Sequence, residues 1–417
     1  MSETTYENPD VLNQDPYQLA LEDLNVAQGE LFQNDSHWAY FERLRDEAPV
    51  HYCRDSEVGP YWSVTKYADI KYVDTHNEIF SSEPTIVLGD QEEDFVLEMF
   101  IAMDPPKHDQ QRKEVAKVAA PRNLSTLEPT IRERVCAILD ELPLDETFNW
   151  VERVSIELTT QMLATLFDFP YQDRYKLTRW SDVATAAPGP GGLIETEEER
   201  QAELLECLEY FTNLWNERVK LPPGNDLVSM LAHGQATKNM QPMEYLGNLV
   251  LLIVGGNDTT RNSISGGVLA LNQNPDQYQK LRDDPSLIPN MVSEIIRWQT
   301  PLAYMRRVAL VDTELGGQQI KAGDKVAMWY VSGNRDPEMF DDADAFVIDR
   351  PNARKHIAFG FGIHRCMGNR VAEMQLRILW EEILERFHTV ELVGDPVRVK
   401  SPFVKGYTEL PVRLHGR

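Results

Sequence analysis

Apolar and polar positions along the chain recur mostly at the three- and four-residue spacing of amphipathic helices, with short stretches of strand character between them. The pattern predicts strands near Val50–Cys53 and Tyr61–Val64. It predicts largely helical chain from 105 to 220, interrupted at Pro121, Pro143, Pro170 and the segment Ala187-Pro188-Gly189-Pro190-Gly191-Gly192. Proline removes an amide donor and glycine favours no single conformation, so that segment reads as a hinge or lid between two helices. A long helical pattern runs from 242 to about 274 and is stopped by Pro275. At ~1.5 Å rise per residue it spans about 50 Å and crosses the molecule. Its middle, residues 249–254, is apolar on every side and should be buried. A helix over about 289–299 stops before Pro301, strands follow near 307–311 and 326–331, and a last long helix runs from just after Cys366 to near Phe387. The expected fold class is mainly α with smaller β regions. Residues 1–35 read as a loosely ordered lead-in, and no repeat or linker divides the 417 residues, so one domain is expected.

Charge and cysteine usage narrow the function. With 67 Asp and Glu against 41 Lys and Arg, the net charge is −26, which argues against nucleic acid or an anionic membrane as partner. Cys53, Cys136, Cys207 and Cys366 lie far apart, without the spacing of a zinc or redox motif, as expected for a reducing compartment. The polar, acidic N-terminus has no basic n-region and no apolar h-region, so no signal peptide is expected. No apolar run approaches the ~20 residues that cross a bilayer. These features predict a cytoplasmic protein without a membrane anchor.

The segment Phe359-Gly360-Phe361-Gly362-Ile363-His364-Arg365-Cys366-Met367-Gly368 places a cysteine after a glycine-punctuated loop, at the start of a helix. Free N–H groups and the partial positive charge of a helix N-terminus favour thiolate. Gly360, Gly362 and Gly368 let backbone approach a flat ligand closely, and Phe359 can screen the sulfur. An isolated cysteine in a turn is ordinarily structural; the whole string is far more specific. It resembles the haem-binding signature of cytochromes P450, with Phe359 leading and Cys366 as the cysteine, and the resemblance extends over essentially the whole chain.

That resemblance implies a triangular helical prism with haem b held between the long central helix and the cysteine loop. It makes Cys366 the axial iron ligand, through which the protein pushes electron density onto bound oxygen. Within the long helix, Gly255-Gly256-Asn257-Asp258-Thr259-Thr260 costs helix stability at a position that should be buried, which points to a functional site. The glycines, Gly255 above all, make room for a bound molecule. The alternative is a kinked core helix with a satisfied aspartate. The family resemblance assigns Thr259 to hold bound oxygen and its waters, and Asp258 to relay protons that cleave the O–O bond. Glu294-Ile295-Ile296-Arg297 resembles the family's Glu-x-x-Arg motif, which with Arg350 locks the cysteine loop to the core. For the anionic propionates it implies His108 and Arg112, one turn apart, with His364 and Arg307; Arg306 is a competing choice for the last.

By position in the family, Leu251, Val254, Leu302 and Phe403 face the space above the iron. Residues 85–101, with Ile86, Val87, Leu88, Phe95, Met99 and Phe100, read as an apolar loop and short helix roofing it; each is equally compatible with plain core. Three strings (Met99 to His108, Gly255 to Asn262 and Thr300 to Arg307) resemble the bacterial alkane and fatty-acid terminal-hydroxylase branch. Terpenes and steroids are alternative substrates. No dinucleotide or iron–sulfur motif is present, so the resemblance implies a separate [2Fe–2S] ferredoxin and its NAD(P)H-dependent reductase. Arg112, Lys113, Lys355, Arg365 and Arg370 make a basic docking face for it. Rival readings are a peroxide-driven peroxygenase, against which Asp258 and Thr259 argue, a haem-based sensor that does not turn over, and a zinc hydrolase, whose motifs are absent.

Overall fold

The computed structural model describes residues 14–189 and 191–416. Its helices are α1 (Gly29–Gln33), α2 (His37–Glu47), α3 (Tyr67–Thr75), α4 (Lys107–Val115), α5 (Pro121–Asp140), α6 (Glu157–Phe167), α7 (Tyr175–Thr185), α8 (Glu197–Arg218), α9 (Leu227–His233), α10 (Pro242–Gln273), α11 (Pro275–Asp283), α12 (Ile288–Gln299), α13 (Tyr330–Gly333) and α14 (Asn369–Arg386). Proline marks several boundaries as steric rules require. Pro121 and Pro242 are first residues of α5 and α10, where the missing N–H costs nothing, and Pro275 ends α10 by disfavouring helical backbone in Asn274.

The strands are β1 (Val50–Cys53), β2 (Tyr61–Val64), β3 (Phe80–Ser81), β4 (Thr147–Asn149), β5 (Met305–Ala309), β6 (Thr313–Leu315), β7 (Gln318–Ile320), β8 (Lys325–Met328), β9 (Phe387–Leu392), β10 (Val397–Arg398), β11 (Tyr407–Glu409) and β12 (Pro411–Gly416). The largest sheet has the order β1-β2-β8-β5-β3, with β2 and β8 parallel and the other pairs antiparallel. The registers Met305↔Met328 and Arg307↔Val326 fix which side chains of β5 share a face.

Helix α10 runs through the molecule and packs against α6, α7, α12 and α14. Its first half, Tyr245 to Ile253, belongs to an apolar cluster with α6, α7, α8 and α9. Its second half, Ile264 to Leu271, belongs to another with α5, α12 and α14. The Gly255 to Thr260 segment falls where one core hands over to the other.

The structure corrects three sequence expectations. Residues 14–35 are no loose lead-in: Leu24, Val26, Leu31 and Phe32 are fully buried against Phe41, Tyr61 and Trp329. These positions have no helical or strand period, so only packing reveals them; residues 1–13 lie outside the described residues. The strand expected at 307–311 is β5, shifted to Met305–Ala309. Its partner β8 starts at Lys325, opposite Val308, and β3 starts at Phe80, opposite Ala309; beyond them only the Leu310 N–H to Ile79 O bond (2.8 Å) remains, and Leu310 and Val311 are exposed. The strand expected over 326–331 ends at Met328, and the chain turns into α13. The glycine-rich segment does connect α7 to α8. It is folded on itself by Gly189 N–H to Ile194 O and Gly192 N–H to Gly189 O bonds (3.1 and 3.0 Å), with Pro190 outside the described residues. Among the described residues no helix is long and apolar enough to cross a membrane.

Candidate active site

A cavity of about 580 Å³ lies between α10 and the cysteine loop. Cys366, Phe359, Gly360, His364 and Gly368 line it from the loop. Gly255 and Thr259 line it from α10, Arg112 from α4 and Arg307 from β5. Ile86, Val87, Met99, Phe100, Leu251, Val254, Leu302 and Phe403 complete an apolar wall, so the structure brings together residues from seven separate parts of the chain. Leu88 does not join them: it is buried in the N-terminal apolar cluster, its N–H bonded to the Tyr304 hydroxyl at 3.0 Å. Backbone pairing sets the wall. Ala303 N–H donates to Phe403 O and Lys405 N–H to Pro301 O, both at 2.9 Å; they pair Leu302 with Val404 and hold the C-terminal segment that carries Phe403 against the turn after Pro301.

The cysteine loop is shaped by two left-handed glycines, Gly360 (φ +65°) and Gly362 (φ +64°). A Cβ at Gly362 would stand 2.5 Å from the Asp74 carbonyl oxygen, so the loop lies directly on α3. Cys366 N–H donates to Phe359 O at 2.7 Å, and α14 begins three residues later. Cys366 faces the cavity it lines. Burial pushes its thiol above the ordinary value, opposed by the Gly368 and Asn369 amides and by Arg112 and Arg365. The helix-start donors expected from sequence are present, yet they do not outweigh burial; a coordinated metal ion removes such a proton outright.

The polar end of the cavity fits an anionic group. His108 is buried on α4 with Nδ1 on Asp109 (2.8 Å), and its Nε2 has no partner. Both ring nitrogens of His364 are likewise buried without a partner, and the two rings meet edge to face at 4.2 Å. Burial pushes His364 down to about 2, reinforced by Arg307, His108 and Arg112. Arg112 donates to Arg365 O in the cysteine loop. Strand alternation decides between the two adjacent arginines of β5. Met305 and Arg307 face the cavity, while Arg306 points to the other side and binds Asp90 (2.8 Å) and the carbonyls of Val87 and Leu88 (3.3 Å each). At the opposite wall a Cβ on Gly255 would meet nothing within 4 Å, whereas one on Gly256 would stand 2.6 Å from Leu163 Cδ2. Gly255 therefore leaves room beside the helix; Gly256 serves the approach of α6.

Asp258 does not line the cavity. Its carboxylate is fully buried toward α7 and accepts from Arg261 Nη2 (2.7 Å), Ser181 Oγ (3.1 Å) and Thr185 Oγ1 (3.3 Å). The charge that the sequence left unpaired is thus paired. Burial raises its affinity for a proton, and Arg261 is the main opposing influence. Thr259 Oγ1 donates to Gly255 O at 2.8 Å on the cavity side.

Glu294 and Arg297 form no solvated pair: both side chains are fully buried, joined at 2.7 and 2.8 Å. Arg350 Nε reaches the same carboxylate at 3.1 Å. Arg297 also donates to Asn334 O (2.7 Å), and Asn334 Oδ1 accepts from Ile357 N–H (2.8 Å), so the cluster reaches the segment leading into the cysteine loop.

Several site residues carry no signal in the sequence. Thr185 lines the cavity and touches Asp258 from another helix. Asp74 holds Arg307. Glu197 and Arg200 line the cavity from the first turns of α8. Of the cations expected to form a docking face, Lys113, Lys355, Arg365 and Arg370 are exposed, and Arg365 acts on Cys366. Arg354 joins them, acting on Glu373 together with Arg365 and Arg370.

Comparison with known proteins agrees with this geometry. The family model "Cytochrome P450" matches residues 214–405. Linalool 8-monooxygenase of Pseudomonas putida is 37% identical over 90% of this chain and 94% of its own length. The methyl-branched lipid omega-hydroxylase of Mycobacterium bovis is 32% identical over 89% of this chain and 90% of its own. Among solved structures, CYP153D17 from Sphingomonas sp. PAMC 26605 superposes with a TM-score of 0.89 at 49% identity, covering 95% of this chain and all of its own. Cytochrome P450-153 from Novosphingobium aromaticivorans gives 0.87 at 44%, covering 96% of this chain and all of its own. The helical fold and its buried cavity are those of a haem-dependent monooxygenase. The chain belongs to the cytochrome P450 family.

Proposed function

We propose that this monooxygenase hydroxylates the terminal methyl of medium-chain linear alkanes or fatty acids. The observation that carries the reading is the apolar wall ending over Cys366, formed by Ile86, Val87, Met99, Phe100, Leu251, Val254, Leu302 and Phe403. An apolar chain gains about 0.8 kcal/mol per CH2 buried against such a wall. The omega-hydroxylase and the two CYP153 structures support terminal attack. A terpene is the second reading, favoured by the linalool 8-monooxygenase at 37% identity.

In this reading Cys366 ligates the iron of haem b. Arg112, Arg307, His108 and His364 would hold its propionates, Phe359 and Gly360 would border it, and Gly255 would leave room for it at α10. Haem bound there would supply oxygen activation, the chemistry that with two electrons and two protons puts one atom of O2 into a C–H bond and the other into water. Around it, Thr259 orders the oxygen side of the cavity by its hydroxyl. Asp258 stores a proton that Thr185 can pass to the cavity wall. The apolar wall excludes bulk water and aligns the chain end-on. Glu294, Arg297 and Arg350 act structurally. Two electrons come from a [2Fe–2S] ferredoxin served by an NAD(P)H-dependent reductase. It docks on the basic face of Arg112, Lys113, Lys355, Arg365 and Arg370. The unpaired cysteines fit a cytoplasmic setting.

The test is a titration of n-alkanes, fatty acids and linalool into the ferric protein, followed by product analysis with a ferredoxin and reductase. A spin shift with linear chains and a primary alcohol as product supports the reading. A response to linalool alone moves the enzyme to terpenes, and subterminal products from linear chains overturn end-on binding.

A further inference from the structure

Asp74 is a buried charge with no part in the proposed function. It sits in the last turn of α3, far in sequence from the cysteine loop, and its side chain is 1% exposed. Three donors from three elements converge on it. Arg307 Nη2 of β5 donates to Oδ1 at 2.8 Å, while the Tyr330 hydroxyl of α13 and the Phe361 N–H of the cysteine loop donate to Oδ2 at 3.0 and 2.7 Å. Three donors and no acceptor suit an ionised carboxylate. Arg307, Tyr330 and Gly360 line the cavity, and Asp74 stands directly behind them. The loop is moulded on it: a Cβ at Gly360 would lie 3.2 Å from Asp74 Oδ2.

A brace for the loop needs only hydrogen bonds, which an asparagine or a serine can provide. A buried negative charge at this place does more. It offsets the charge of Arg307, which otherwise faces the cavity as a full positive charge, and both side chains are buried from solvent screening. A ferric centre carries one more positive charge than a ferrous one. A fixed anion behind the cavity wall therefore favours the ferric form, and an uncompensated guanidinium favours the ferrous form.

We propose that Asp74 is a positioning residue toward the haem, holding Arg307, Tyr330 and the cysteine loop in register while its charge lowers the iron's reduction potential. The inference rests on the assignment of Arg307 to the haem side and not on the identity of the substrate.

The measurement is spectroelectrochemical titration of the haem-loaded protein without substrate. Asp74→Asn is expected to raise the midpoint potential, so that the ferrous to ferric ratio at a fixed potential rises about threefold or more (tenfold equals 59 mV for one electron). The reduced carbon monoxide complex should keep the red-shifted Soret band of thiolate ligation. Tyr330→Phe removes a hydrogen bond but no charge and should leave the potential in place. Arg307→Gln should lower it, and that variant carries the test if Asp74→Asn does not retain haem. A haem-loaded Asp74→Asn protein at the wild-type potential overturns the proposal and leaves Asp74 a brace, as does an Arg307→Gln potential that does not fall. Neither result bears on whether linear chains are hydroxylated.

Discussion

The Thr185 hydroxyl donates to Asp258 Oδ2 across 3.3 Å, joining a residue of the cavity wall to a carboxylate that faces away from the cavity. The neighbouring Thr259 points into the cavity instead. The acid and the alcohol, adjacent in sequence, therefore work through different faces of α10. Asp258→Asn is expected to slow product formation by about 10²-fold or more, with haem content intact. Thr185→Val should cause a smaller loss of the same kind. Thr259→Ala should leave oxygen consumption running while less of it ends in product. Full coupling in Thr259→Ala would instead favour direct use of peroxide, and a wild-type rate in Asp258→Asn would leave the carboxylate a partner of Arg261 alone.

The two arginines of β5 should separate cleanly. Arg307→Ala removes a cation from the haem side and is expected to lower the ratio of haem to protein. Arg306→Ala should keep haem but loosen residues 85–101, whose carbonyls it holds, and so weaken the substrate-induced spin shift. Pyridine haemochrome assay and optical titration read the two effects independently; equal haem loss in both variants would contradict the strand alternation.

Charge at the rim is expected to favour uncharged chains. Asp90 and Glu92 are exposed where they line the cavity, and Asp90 is matched by Arg306 and Lys325 (2.8 and 2.7 Å). Arg200 is held by Glu197, its Nε 2.7 Å from Oε1. Among the described residues lining that rim, no cation is left to meet a substrate carboxylate. An alkane or methyl ester should bind about tenfold tighter than the carboxylate of equal chain length, a difference of ~1.4 kcal/mol. Glu197→Gln, which frees Arg200, should narrow the gap. Equal affinities in the wild type would show that the rim charges do not select.

Glu294→Gln breaks a fully buried charge cluster while leaving Arg297 and Arg350 in place. Losing one partner of such a cluster costs about 3–5 kcal/mol. Thermal unfolding should fall by many degrees, and the variant should retain haem poorly because Asn334 and Ile357 lose their anchor. A melting temperature within a degree or two of wild type would contradict this.

Lys405 is buried between Trp38 and Trp298 (5.1 and 5.7 Å to the ring centres), and its ammonium donates to Gln299 O at 3.0 Å. Burial pushes it down to about 7. The unfolded chain then binds more protons than the native one between about pH 7 and the ordinary lysine value, so this group's penalty is full below pH 7 and fades as pH rises. Lys405→Met should raise the melting temperature more at pH 6 than at pH 9. Equal changes at both pH values would show that the site does not titrate in that window.

Some of the fold was readable without coordinates because it is local. The boundaries of α10, α12 and α14 follow from apolar spacing and from Pro242, Pro275 and Pro301, which act through the backbone of adjacent residues. Residues 14–35 were misread because Leu24, Val26, Leu31 and Phe32 follow no period, and their burial depends on a groove made by later segments. The ends of β5 and β8 were misplaced because pairing, and not side-chain pattern, ends a strand.

By itself the sequence determined the cysteine loop, the Asp258-Thr259 pair and the apolar residues expected above the site. In the first two the chemistry is carried by neighbours a few positions apart, whose geometry the backbone sets; the apolar residues follow from the family resemblance and the apolar run over 85–101, and Leu88 among them lies outside the cavity. Tertiary structure alone decided that Arg307 and not Arg306 faces the cavity, that Asp258 is paired with Arg261 and turned toward α7, and that Asp74 stands behind the cysteine loop. Asp74 and Arg307 are 233 positions apart. No local rule relates such residues; they meet because the packing of α3, β5 and the loop buries both charges side by side, where each needs an opposite partner.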